Sequence, residues 1–275
     1  CDWSSDVCSS DLDRLLPEVL GLTATAYDAW RRCPRRYLAA HLLGLPRSDA
    51  GGSPDFGTLV HALMHRVHAT GSCTDPAHVL EVLEAHGVGT GPIPAMVARH
   101  ARRCPADRAE AARYEHELAR FHRGAPQFIV GGRLDALWRI GDVLEVRDYK
   151  TGARATERVA DDPRARLQAW LAAPVATTRG LRLRVRYEHL AAEIDDEPDP
   201  FEPEAEDLAA IEEELCSAVR AIRDAGADVS GAGFAGVADP VTCGFCDYRS
   251  ICPDSAAPGE PTWPEPPEYD PDAPA

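Results

Sequence analysis

Residues 129–152, IVGGRLDALWRIGDVLEVRDYKTG, constrain the fold more than any other stretch of the chain. Apolar and β-branched residues run up to Leu137 and resume at Val143, and the segment between them, Arg139 to Gly141, carries a turn-forming glycine. That is the pattern of strand, turn and strand. Asp148 and Lys150 are two positions apart, so their side chains leave the second strand on one face. Asp135 lies in the first strand, thirteen residues earlier. Pairing the two strands predicts that Asp135 and Asp148 come close enough to share a cation.

The flanks decide what surrounds this hairpin. Residues 22–44 read as a helix capped by Thr23 or Thr25, with Tyr27, Trp30, Tyr37, Leu38 and Leu42 at helical spacing and a kink, or a division into two short helices, at Pro34. Residues 56–70 form a second helix, with Leu59, Val60, Leu63 and Val67 on one side and His61, His65 and His68 recurring along it. Helices are expected over 76–86, 94–113, 163–173 and 208–225, and strands over 114–121, 128–137, 143–149 and 182–190. Residues 48–54 are a Gly/Ser/Pro loop. The order is helices, three consecutive strands, helix, strand, helix: an α/β core with a helical N-terminal extension.

Both ends read differently. CDWSSDVCSSDL, residues 1–12, has no initiator Met and fits neither strand nor amphipathic helix; it is expected to be a non-native segment, with Cys1 and Cys8 outside any site. Residues 254–275 are acidic and rich in proline, the composition of a disordered tail. With no secretory signal and no run of about 18 apolar residues, the protein is expected in the cytoplasm and away from membranes.

The formal charge of −16 argues at first against a nucleic-acid partner. Yet 12 acids fall within 193–214 and 6 within 254–275, segments with neither Lys nor Arg. The remaining body carries 29 basic residues against 27 acidic ones. Basic clusters over 31–36, 99–108 and 179–186 serve equally as solvated faces or as phosphate contacts.

Two constellations carry chemistry. A hard divalent cation takes oxygen ligands and keeps several waters. Two carboxylates and a backbone carbonyl, here that of Tyr149, supply half such a shell. Lys150 would then orient a nucleophile or offset developing charge; read alone, Asp148 and Lys150 are more simply an ion pair at a strand end, and Asp135 in the neighbouring strand brings the two readings level. The second is CGFCDYRSIC, which spaces Cys243, Cys246 and Cys252 as C-x-x-C-x5-C. Three thiolates so close need a fourth ligand, from Cys33, Cys73, Cys104 or Cys216, and suit a structural zinc as well as an iron–sulfur cluster.

Six motifs in order, T-A-x5-R-C-P-x-x-Y (Thr25 to Tyr37), F-G-T-L-V-H (Phe56 to His61), G-R-L-D (Gly132 to Asp135), D-Y-K-T-G (Asp148 to Gly152), the helix bearing Gln168 and the terminal cysteines, resemble the PD-(D/E)XK nucleases of the RecB type. The likeness spans about 22–253 and is narrower to the iron–sulfur branch found in AddB and Adn helicase–nucleases and in CRISPR-adaptation nucleases. It implies a restriction-endonuclease-like core, a central mixed sheet flanked by helices. His61, Asp135, Asp148 and the Tyr149 carbonyl would hold Mg²⁺ or Mn²⁺, with Lys150 as catalytic lysine and Gln168 positioning substrate. Cys33 would join Cys243, Cys246 and Cys252 on a 4Fe–4S cluster, a cross-link over roughly 200 residues that stabilises by several kcal/mol.

The implied activity is hydrolysis of single-stranded DNA by an exonuclease of recombination or repair, alone or with a helicase subunit or upstream motor domain. An inactive nuclease-like scaffold and a CRISPR-adaptation nuclease are the alternatives. Arg31, Arg35, Arg36, Arg182, Arg184 and Arg186 are candidate phosphate contacts. The family often has Tyr four residues after the helix Gln; this chain has Ala172, with Trp170 the nearby aromatic.

Overall fold

A computed structural model describes residues 16–46, 56–152, 158–191, 198–227 and 230–256. The twelve N-terminal residues, the 48–54 loop and the tail beyond 256 lie outside the described residues. The chain divides into two compact units: a larger one, Glu18–Thr25 with Gly51–Arg220, and a smaller one built from Ala26–Ala50 and Ala221–Ala275 with the residues up to Pro17.

The larger unit is an α/β fold around a five-stranded mixed sheet. Strand β3 (Phe128–Ile140) is its axis, and β2 (Ala111–His122) runs antiparallel along the whole of one edge. The other edge is shared. Strand β1 (Leu20–Thr23) pairs in parallel with its beginning, Leu20 against Phe128, and β4 (Val143–Lys150) pairs antiparallel with its end, Ile140 against Val143. Strand β5 (Arg182–His189) closes the order in parallel beside β4. The β3–β4 turn is Gly141 and Asp142, with Gly141 at φ 57°, where a residue without Cβ is favoured.

Helices cover the sheet. α3 (Phe56–Thr70), α4 (Pro76–Ala85) and α5 (Pro92–Arg103) bury Val60, Leu63, Met64, Leu83, Met96 and Val97 against Ala136, Trp138 and Tyr149. α6 (Pro163–Thr178) starts at Pro163, with the Asp162 carboxylate capping the N–H groups of Arg164 and Ala165. It is buried nearly all round. The first part of α7 (Ala205–Ala225) supplies Glu212 and Glu214 to Trp170, Arg120 and Arg166. Among the described residues no helix is long and apolar enough to cross a membrane.

Prolines set two helix breaks, the first foreseen in the sequence and the second not. Residues 22–44 divide at Pro34 into two short helices, one of the two outcomes expected there: Cys33 is extended (φ −164°, ψ 113°) between α1 (Ala24–Arg32) and α2 (Pro34–Tyr37), with a π-turn at Leu38–Leu42, while β1 takes the start of the segment. The residue before a proline is disfavoured in helical geometry, so Pro34 ends α1 and redirects Cys33. Likewise the helix expected to reach Arg113 stops at Arg103, because Pro105 forces Cys104 into extended backbone (ψ 130°). Strand β1 escapes sequence reading because four residues acquire their strand character from pairing with β3, a hundred residues away.

In the smaller unit Tyr37 is buried and packs on Trp30 and Phe234, with ring centroids 5.8 and 6.3 Å away. The short helix α8 (Pro240–Gly244), capped by Asp239, begins the cysteine segment, and Tyr248 Oη donates to the Leu45 carbonyl (3.1 Å).

Candidate metal and active site

The β3–β4 ladder pairs Ala136 with Arg147, so Asp135 and Asp148 occupy the next cross-strand position, just where the ladder ends. There the Asp135 carboxylate replaces a backbone acceptor: Tyr149 N–H donates to its Oδ2 at 2.8 Å. The other oxygen of Asp135, Oδ1, lies 3.1 Å from His61 Nδ1, which α3 lowers onto it. Asp148 is gripped from two sides, by Lys150 Nζ at 2.8 Å on Oδ1 and by Gln168 Nε2, donating at 2.8 Å to Oδ2 from α6. Lys150 also lies 4.1 Å from the centroid of the Tyr187 ring. Period-two alternation thus puts Asp148, Lys150 and Tyr187 under α6, while Tyr149 joins the core beneath α3.

The electrostatics follow from this packing. Burial works to lower the His61 pKa, but the Asp135 and Asp148 carboxylates and the Tyr149 carbonyl outweigh it and raise it above its ordinary 6.5. Gln168 Oε1 is buried without a hydrogen-bond partner, an acceptor left at the site.

Sequence reasoning missed Glu115. His61, Glu115 and Asp135 offer ligand atoms within 4.8 Å of one another, and Asp148 is outside that tight group, held by Lys150 and Gln168. Glu115 interrupts the β2–β3 ladder in the left-handed region, at φ 47°, and accepts from Arg133 Nε at 2.7 Å. Such a backbone is unusual for a residue with a side chain and concentrates at functional sites. In the sequence YEHEL nothing separates Glu115 from Glu117.

Ala172 and Trp170 are both completely buried, and Trp170 donates to Glu212 and lies under Arg120, 3.7 Å from ring to guanidinium. Trp170 points away from the site, whereas Ala172 lies one turn beyond Gln168 on the same side of α6, where its methyl group offers no substrate contact. Of the candidate phosphate contacts, Arg182 pairs with Asp142 (2.9 Å) and Glu202 (3.2 Å), Arg184 with Glu202 (2.7 Å), and Arg186 with Glu145 (3.6 Å). In the smaller unit Arg31 lies over Tyr27, and Arg35 and Arg36 pair with Asp254 and Asp247. These cations are largely offset by neighbouring acids.

The four expected cluster cysteines do gather in the smaller unit. Cys33, Cys243, Cys246 and Cys252 line one pocket with Val237, whose N–H points at Cys33 Sγ (3.5 Å) and whose carbonyl accepts from Cys243 Sγ (3.4 Å).

The family model of the PD-(D/E)XK nuclease superfamily matches residues 21–253. No curated protein sequence matches the chain. Similar solved structures include SSO0001, at 13% identity and TM-score 0.38 over 85% of each chain. Another is the protein named "Putative exonuclease" from Eubacterium rectale, at 9% identity and TM-score 0.45 over 81% of this chain and 85% of that one.

Proposed function

Because the chain belongs to the PD-(D/E)XK nuclease superfamily, we propose that it is a divalent-metal-dependent DNA nuclease that degrades single strands from an end. The observation that carries this reading is the convergence of His61, Asp135, Asp148, Lys150 and Gln168 where β3 and β4 part. The donors fit a hard cation: two carboxylates, an imidazole, the Tyr149 carbonyl, and a buried Gln168 oxygen still lacking a partner. Bound there, Mg²⁺ or Mn²⁺ would activate water and neutralise charge on the scissile phosphodiester.

The chain's own groups account for the rest. Tyr149 N–H fixes one oxygen of Asp135 and Gln168 fixes one oxygen of Asp148, so neither carboxylate rotates freely. Lys150 holds an ammonium 2.8 Å from Asp148, where it can donate to an attacking water or to a phosphate oxygen as charge develops. Glu115 adds a third carboxylate beside His61.

We further assign the Cys33, Cys243, Cys246 and Cys252 pocket to an iron–sulfur cluster, since its donors are all sulfur and a backbone N–H already points at one of them. A motor would have to come from elsewhere, because no G-x-x-x-x-G-K-[ST] occurs in these 275 residues.

The test is degradation of end-labelled single strands with Mg²⁺ or Mn²⁺, abolished by Asp148→Ala. Intact substrate with either metal refutes the enzyme reading and leaves a nuclease-like binding module. For the cluster, protein purified without oxygen should be brown and contain iron; a colourless, iron-free preparation refutes it.

A further inference from the structure

Two histidines and two cysteines with no part in the nuclease chemistry meet inside the larger unit. His68 lies in the last turn of α3, and Cys73 follows five residues later in the loop to α4. His100 and Cys104 stand one turn apart at the end of α5. One ligand atom from each lies within 4.8 Å of the other three, and the two Nε2 atoms are 2.9 Å apart. Cys73 and His100 are fully buried, at 2% and 0% exposure.

We propose that His68, Cys73, His100 and Cys104 hold a structural zinc ion in a four-coordinate Cys₂His₂ site.

Geometry and donor chemistry agree. Zinc–sulfur bonds of about 2.3 Å and zinc–nitrogen bonds of about 2.0 Å place tetrahedral ligand atoms roughly 3.3–3.8 Å apart. The two Nε2 atoms, 2.9 Å apart, are slightly closer than that and no pair exceeds 4.8 Å, so small side-chain movements complete the site. Thiolate with imidazole, and no carboxylate in the shell, selects zinc over magnesium or calcium. Four protein ligands in a buried position leave no place for water or substrate, the property of a structural rather than a catalytic ion.

The surroundings are those of a metal site. The other nitrogen of His100, Nδ1, lies 2.8 Å from Glu188 Oε1, and Glu188, itself completely buried, accepts from Arg147 Nη1 at 2.9 Å through its second oxygen. A carboxylate behind a histidine orients the ring and leaves Nε2 for the ion. His68 is fixed by stacking on Tyr114, 4.5 Å between centroids, and by the edge of Trp138. Pro105 ends α5 at the residue that must turn its sulfur inward.

The ion would tie the last turn of α3 to the end of α5 and, through Glu188, to β5. His61 and His68 are seven residues apart on α3, two turns along one face. Anchoring His68 therefore fixes the helix that sets His61 on Asp135.

Zinc and iron counted per chain in the whole protein, purified reduced and without oxygen, test this directly. The expected result is about one zinc that disappears in Cys73→Ser/Cys104→Ser with iron unchanged, and that survives Cys243→Ser/Cys246→Ser. Should the first variant fail to fold, zinc X-ray absorption of the iron-replete wild type decides instead: two sulfurs and two nitrogens support the site. Equal zinc in wild type and Cys73→Ser/Cys104→Ser, a shell of four sulfurs or of oxygens, or a Cys73–Cys104 disulfide in peptide maps of the unreduced protein overturns it.

Discussion

Gln168→Glu is the sharpest probe of the proposed active site, because it changes charge while keeping shape. In the wild type Gln168 Nε2 donates to Asp148 Oδ2 at 2.8 Å, and both side chains are buried. The variant puts a second carboxylate in that place. Two such charges centred about 4 Å apart repel by roughly 4 kcal/mol at an effective dielectric of about 20, equivalent to about 3 pKa units. Lys150, 2.8 Å from the other oxygen of Asp148, offsets part of this. We expect the pair to retain one proton until about 2 units above the ~4 of an isolated carboxylate, with the apparent value belonging to the pair. The assay is Mg²⁺-dependent cleavage of labelled single strands between about pH 5.5 and pH 8.5, beside Mn²⁺ binding by calorimetry. The variant should show a new acidic limb near pH 6 in both activity and metal affinity. Gln168→Leu removes the donor without adding charge and should lower activity without that limb. A Gln168→Glu profile parallel to wild type down to pH 5.5 would show that this contact is absent from the working site, and the reasoning fails.

Three further outcomes follow from the same geometry. Lys150→Arg keeps the charge but replaces a compact ammonium with a planar fork, and should cost about 10²–10³-fold in cleavage rate; near-wild-type rates would reduce Lys150 to a generic cation. The raised His61 pKa means that its proton competes with the metal: it is present below about 6.5, where it also stabilises the metal-free fold, and is lost as pH rises through the elevated value. Mn²⁺ affinity should therefore climb through that window, and a His61→Ala protein with the same slope would exclude His61 as its source. Arg147→Met strands Glu145 and Glu188, which accept from the guanidinium at 2.6 and 2.9 Å at 2% and 0% exposure. The expected loss is about 3–5 kcal/mol, or roughly 1–2.5 M in urea midpoint for a slope of about 2–3 kcal/mol/M. A loss below about 1 kcal/mol contradicts the buried network.

What the sequence discloses divides by how local the cause is. The Asp135–Asp148 juxtaposition is legible because side-chain alternation and a glycine turn, both short-range, fix the hairpin register. Gln168 is legible only through resemblance, since a glutamine in an alanine-rich helix carries no signal of its own. Glu115 is illegible because its special position arises from a broken ladder and a left-handed backbone that ARYEHEL does not announce. The same is true of His68 and Cys73 against His100 and Cys104. Each half is an ordinary His–Cys pair, and their meeting depends on α3 and α5 sharing one core cluster against the sheet, with their final turns converging and Pro105 ending α5.

One signal in plain view concerns Lys150. It is the only lysine among 29 basic residues; every other cation is arginine. Arginine is always charged and suits bidentate pairing, and it fills that role here at Arg147 and Arg182. A sequence that uses arginine wherever a cation is structural, and lysine once, between Asp148 and the Tyr187 ring, separates the two chemistries by residue type. On the proposed mechanism this one position would require a compact, rotatable ammonium rather than positive charge alone, which Lys150→Arg tests. The composition and the β3–β4 geometry therefore lead to Lys150 independently, one by rarity and the other by contact.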